Sequence, residues 1–198
     1  MAGLAGARNV ISNSITQPVV KLLAKTPLTP NVVSWLGFLI TIGAAALIGT
    51  DHLLAAGIVV LFAGIFDMLD GALARATNKV TRFGGVLDST LDRLSEAALL
   101  LGILVIYVRS QQIGESILVG LALTSSMTVS YLRSRIEALG IECKIGWFTR
   151  PERVIVLALG LMLSQFQYAL IIALSIITFF SFFTAGQRLI YARRQIRD

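Results

Sequence analysis

FDMLDGALARATNKVTRFGGVLDSTLDRLSE, residues 66–96, is the stretch whose reading decides the fold. Asp67 and Asp70 stand at i, i+3 and Asp88 and Asp92 at i, i+4, so each pair shares one face of a helix. Both pairs lie in or beside apolar runs, and a carboxylate at membrane depth marks an ion or substrate site. No basic residues at matching helical spacing neutralise all four, so the set asks for a multivalent cation. Oxygen ligands suit Mg²⁺, Mn²⁺ or Ca²⁺ rather than zinc. Gly71 and Ala74 share the face of the first pair and leave room for a ligand to approach closely. Arg75 offers a planar fork of donors to a phosphate, and Gly84 and Gly85 keep the second helix open.

The rest of the composition agrees with a membrane setting. Apolar residues make up 56% of the chain and charged residues 14%, against about a quarter charged in a soluble domain. At 198 residues there is room for one membrane domain, 1–198, and little else. The single Cys143 excludes an internal disulfide, and no histidine–cysteine cluster is present for zinc. His52, the one histidine, falls in a connecting turn. No cleavable signal peptide and no nucleic-acid partner are expected.

Working outward, the chain reads as an all-α integral membrane protein of six spans. They lie at about 31–49, 53–75, 84–108, 115–135, 151–164 and 168–191, judged against about 20 residues per helical crossing. The second and third spans form a hairpin through ATNKVTRFG. Packing through Gly71, Ala74 and Gly84 would bring the two aspartate pairs face to face. The fifth span is short and begins near Pro151, a residue suited to a first helical turn. Ahead of the first span, residues 8–25 read as a juxtamembrane amphipathic helix interrupted near Pro18, and TPLTPNVVSW forms the turn into the bilayer. Every Lys and Arg except Arg109 falls on one side. Both termini, the aspartates and the main basic cluster are therefore expected at the cytoplasmic face of the cell membrane, where they can build one site.

That basic cluster places Arg133 and Arg135 at the end of the fourth span and Arg150 and Arg153 at the start of the fifth. Positive-inside flanking is one explanation. The other is a phosphate pocket, because arginine binds phosphate bidentately and a helix N-terminus favours anions.

The spacing D-x2-D-G-x2-A-R-x8-G-x3-D-x3-D resembles the signature of the CDP-alcohol phosphotransferase family, also called CDP-alcohol phosphatidyltransferase class I. These are integral membrane enzymes that make phospholipid head groups, and every fixed position of the signature is present. The resemblance implies a metal-dependent transferase with Asp67, Asp70 and Asp88 as permanent ligands of two Mg²⁺ ions, Mn²⁺ being an option. It gives Asp92 the role of general base, and Asp92 can also touch a metal. Gly71, Ala74 and Arg75 would hold the CDP-lipid, with Thr81 in reach of the nucleotide. The LTPN string, similar to the family's approach to its first span, adds Asn31, for which a helix cap is the competing role.

SYLRSR and TRPER resemble the branch that makes phosphatidylinositol phosphate from CDP-diacylglycerol and inositol 1-phosphate. There, basic residues matching Arg133, Arg135, Arg150 and Arg153 form the acceptor phosphate pocket, joined by an arginine late in the sixth span that Arg193 matches best. Arg133 stands where lysine is usual. Archaeal enzymes with ether-lipid donors look similar at these positions, and family members are commonly homodimers. Glycerol 3-phosphate is the alternative acceptor, and a divalent-cation transporter is the alternative of another class. Intramembrane salt bridges alone leave the set unexplained, since Arg75 and Arg93 cannot neutralise four aspartates.

Overall fold

Proline and polar residues start and stop the helices where the apolar runs require it. In a computed structural model, which describes residues 17–24 and 26–196, every described element is a helix. They are α1 (Gln17–Leu23), α2 (Pro30–Gly49), α3 (Leu53–Ala76), α4 (Arg82–Arg109), α5 (Ile113–Ala138), α6 (Arg150–Met162) and α7 (Ala169–Ile196). Pro30 opens α2, where its missing N–H leaves no bond unmade, and the Thr29 carbonyl accepts from Val32 and Val33. Asp51, Asn78 and Gln111 turn the chain with φ of 66°, 53° and 55°. At α6 the Glu152 carboxylate accepts from the Thr149 N–H at 2.8 Å and the Thr149 hydroxyl at 2.6 Å. With Pro151 in the first turn, this capping box fixes where α6 begins.

Pro18 is the second residue of the described helix α1. Residues 8–16 of the expected amphipathic helix lie outside the described residues, as does Lys25. Within α1, Val20 is buried while Val19 and Leu22 are exposed.

Among the described residues, helices α2, α3, α5 and α7 are each long and apolar enough to cross a bilayer. Two of the six expected spans differ. α4 has 28 residues, but Asp88, Asp92, Arg93 and Glu96 break its apolar run. α6 has 13 residues, which at about 1.5 Å per residue is about 20 Å, short of a core of about 30 Å.

The chain packs as two compact units, one formed by the chain up to Ile40 with Phe62–Leu94, the other by Thr41–Leu61 with Ser95 onward. In the first, Val20, Val33, Leu69 and Leu73 make a small core that includes Phe66 at its edge. In the second, Ile48, Val60, Leu100, Ile103, Leu157, Leu161 and Leu174 belong to a larger one. Gly160 lets α6 lie close to α7: a Cβ there would stand 2.5 Å from the Ala173 Cβ.

Candidate active site

Asn31 and Ser34 are three residues apart in the first turn of α2 and so face the same way. Ser34 Oγ donates to Asp70 Oδ2 at 2.6 Å, and the Gly71 N–H donates to Asp70 Oδ1 at 2.5 Å. Asp70 is 5% exposed, so it depends on these two bonds for the polar contact that water would otherwise supply. Both donors are neutral. They orient the carboxylate and leave its charge in place. Asp88 and Asp67 are near enough to add their own negative charge to its surroundings.

A cavity of about 290 Å³ opens beside Asp70, within the first unit. Its wall includes Asn31, Ser34, Asp70, Gly71, Ala74, Arg75, Thr81, Gly84, Gly85 and Asp88. The five residues expected to hold a CDP-lipid thus line one space, together with two of the four aspartates. Asp67 and Asp92 are half-buried on α3 and α4 and do not line it.

The glycines explain how the walls approach. A Cβ on Gly84 would stand 2.9 Å from Thr81 Oγ1 and 3.2 Å from Asn31 Oδ1. A Cβ on Gly71 would meet only Arg75 Nη1, at 3.6 Å, so that wall is open and the guanidinium lies along it. Thr81 also caps α4, its Oγ1 accepting from the Gly84 N–H at 2.9 Å.

Among the described residues, no three acidic, histidine or cysteine side chains converge closely enough to grip an ion as they stand. The donor set still fits a hard cation: it consists of carboxylate oxygens, and Ser34 and the Gly71 N–H, which bond Asp70, are neutral groups. Ser34 and Gly37 were not singled out in the sequence. Gly37 admits Asp67, whose Oδ1 lies 3.4 Å from where a Cβ would stand. Ser34 was legible in principle, being three residues after Asn31.

The second unit holds the arginines, in unequal settings. Arg133 is exposed and pairs with Glu137 Oε1 at 2.9 Å. Arg135 and Arg193 are exposed on α5 and α7, and Arg150 is half-buried at the start of α6. Arg153 is 1% exposed and grips Glu96 as a fork, Nε to Oε1 at 2.5 Å and Nη2 to Oε2 at 2.7 Å.

Arg188, read in the sequence only as a flanking charge, is buried. It donates to the Val129 carbonyl at 2.6 Å and the Ile145 carbonyl at 3.0 Å. Thr184 and Tyr191, also on α7, bond the Phe148 N–H and the Glu142 carbonyl at 3.2 and 3.1 Å. Gly146, at φ 138°, leaves room for Arg188: a Cβ there would stand 3.2 Å from Nη2. Arg133 and Arg153 both lie within electrostatic reach of Arg188, so three of the unit's cations share one neighbourhood.

Known proteins align with these features along most of the chain. The sequence profile for CDP-alcohol phosphatidyltransferase matches residues 27–185. Mycobacterium tuberculosis phosphatidylinositol phosphate synthase is 37% identical over 184 residues, covering 88% of this chain and 84% of that protein. The archaetidylinositol phosphate synthase of Methanothermobacter thermautotrophicus is 38% identical over 167 residues, 81% of each chain. A crystal structure of the M. tuberculosis synthase with CDP-DAG bound superposes with a TM-score of 0.83 at 36% identity, covering 90% of this chain and 93% of that one. A second structure of it, in complex with manganese and citrate, gives 0.84 at 36% identity, covering 90% and 88%. This chain belongs to the CDP-alcohol phosphatidyltransferase family.

Proposed function

We propose that this protein transfers a phosphatidyl group from CDP-diacylglycerol to inositol 1-phosphate, releasing CMP. The observation that carries the reading is the cavity beside Asp70, where Asn31, Gly71, Ala74, Arg75 and Thr81 meet. Its size and its lining, with Asp70 and Asp88 beside Arg75 and Lys79, suit a nucleotide whose pyrophosphate meets both a cation and basic side chains. The similarity to phosphatidylinositol phosphate synthases over most of the chain supports the choice of acceptor.

Asp67, Asp70, Asp88 and Asp92 would hold Mg²⁺, with two ions as the full complement and Mn²⁺ able to substitute. Bound there, the metal neutralises charge on the pyrophosphate and on the departing CMP. Arg75 binds a phosphate oxygen of the CDP-lipid through its fork, and the missing side chain at Gly71 admits the nucleotide. Ser34 keeps the Asp70 carboxylate from rotating out of the cavity wall. Asp92 takes the proton of the acceptor hydroxyl as its oxygen attacks the β-phosphorus. A new P–O bond forms to the acceptor while the bond to the CMP oxygen breaks. Arg133, Arg135, Arg150, Arg153 and Arg193 bind the phosphate that the acceptor already carries.

In this reading α4 and α6 also cross the bilayer, giving six spans. The charges of α4 are those the reaction requires, and the shortness of α6 is made up by flanking residues. Basic residues cluster at the span ends that share a side with the aspartates, which supports a cytoplasmic active site. A homodimer is part of the same reading.

Purified protein with CDP-diacylglycerol and Mg²⁺ should release CMP when given inositol 1-phosphate, and Asp92→Asn should lower that release by about 10²–10⁴-fold. Release with glycerol 3-phosphate alone would keep the mechanism and overturn the acceptor. A second donor is favoured by the archaetidylinositol phosphate synthases at 38% and 36% identity. A preference for an ether-lipid CDP donor in the same assay would select it.

A further inference from the structure

Glu96 and Arg153 lie 57 residues apart in sequence and meet inside the second unit. Their side chains are 5% and 1% exposed. Removing two charges from water is costly, and an apolar pair of like volume often packs as well or better. Ionic pairing by itself is therefore a weak reason for this one. The geometry holds a second oddity. The fork uses Nε and Nη2, while Nη1 is buried and meets no hydrogen-bond partner. Buried donors are rarely left unmet in folded proteins, and each such group calls for an explanation.

Resting on the function proposed above, we infer that Glu96 is a positioning residue for the acceptor. Its carboxylate fixes the plane of the Arg153 guanidinium and thereby holds Nη1 ready for an oxygen of the acceptor's phosphate. A guanidinium is flat, so two bonds along one edge determine where the remaining N–H groups point. Without the fork, Arg153 keeps its charge and loses its direction. The pair is neutral overall, so Arg153 contributes aim more than attraction. Attraction falls to the other arginines of the unit. Arg133 and Arg188, within electrostatic reach of each other, are two of them.

This division of labour separates positioning from charge and from simple fold support. Glu96→Asp keeps the charge and draws the carboxylate back by one methylene. Glu96→Gln keeps the length and removes the charge. In CMP-release assays of the full-length protein with CDP-diacylglycerol and Mg²⁺, both variants should raise the KM for inositol 1-phosphate about tenfold or more, since displacement by about 1 Å can cost this much. The KM for CDP-diacylglycerol should stay near that of the wild type in both variants. The thermal midpoint should stay near it in Glu96→Asp, whereas Glu96→Gln leaves a buried guanidinium without its counterion and lowers it.

An effect of charge alone predicts the opposite pattern: Glu96→Asp is silent and Glu96→Gln lowers the acceptor KM. A fold-supporting pair predicts a lowered midpoint with an unchanged acceptor KM. Either result overturns the inference, as does loss of folded protein in both variants. If only Glu96→Gln misfolds, Glu96→Asp decides the matter. A wild type that uses no phosphate-bearing acceptor overturns the proposed function and this inference with it. A wild type that uses one, beside variants of unchanged acceptor KM, overturns the inference alone.

Discussion

Asp70 and Arg153 are both buried charges on helices of a membrane protein, and the chain satisfies them in opposite ways. Asp70 receives hydrogen bonds from two neutral groups, Ser34 and the Gly71 N–H, neither of which cancels a charge on its carboxylate. Arg153 is met by the carboxylate of Glu96 and becomes half of a neutral pair. The difference separates two tasks. A group whose charge is left standing can attract a cation, whereas a group whose charge is cancelled can still point a donor. Burial alone does not tell the two apart; the charge of the partner does.

The comparison breaks first at the aspartates. Chelation of divalent metal should abolish CMP release, and Mg²⁺ or Mn²⁺ should restore it. Asp92→Asn should lower turnover by about 10²–10⁴-fold, the usual share of a general base, with CDP-diacylglycerol binding retained in a direct binding assay. If turnover survives chelation, the charge left standing on Asp70 serves something other than a cation.

Ser34→Ala removes one of the two bonds that orient Asp70. A hydrogen bond to a charged group contributes about 1.5–3 kcal/mol, so kcat/KM for CDP-diacylglycerol should fall about tenfold or more. A smaller effect is expected at the open wall. Gly71→Ala adds a Cβ that meets only Arg75 Nη1 at 3.6 Å, so the thermal midpoint should hold while the KM for CDP-diacylglycerol rises several-fold. A lowered midpoint at unchanged KM would mean that the wall faces protein and not ligand.

The smallest effect sharpens the other side of the comparison. Arg133 and Glu137 pair at 2.9 Å with side chains 56% and 43% exposed. Exposed pairs contribute about 0–1 kcal/mol, so Glu137→Gln should leave the thermal midpoint almost unchanged. A marked drop would place this pair in the same class as Glu96 and Arg153.

Much of the helical order was legible because it is local. Pro30, Pro151 and the polar turns mark helix starts, and the spacing of Asp67, Asp70, Gly71, Ala74 and Arg75 is a statement about one helix face. What escaped was set by packing between distant segments. Ser34 meets Asp70 across 36 residues and Arg153 meets Glu96 across 57, and no periodicity within either segment announces its partner. Glu96 read as the tail of the aspartate stretch, and Arg188 as one more flanking cation. Composition could count the positive charges near the span ends. It could not separate Arg133, which is exposed, from Arg188, which holds two backbone carbonyls.

The fastening of residues 139–149 onto α7 has a consequence for how this connection responds to stress. Thr184, Arg188 and Tyr191 recur at about one helical turn and hold the chain at Phe148, Ile145 and Glu142. A connection without regular structure ordinarily opens by itself and exchanges its amides early. Here the Phe148 amide donates to the Thr184 hydroxyl of α7, so its exchange waits on the breaking of a bond to that helix. The segment is irregular in its backbone and yet tied to a helix in its stability, and a protease should treat it as part of α7 rather than as a loop.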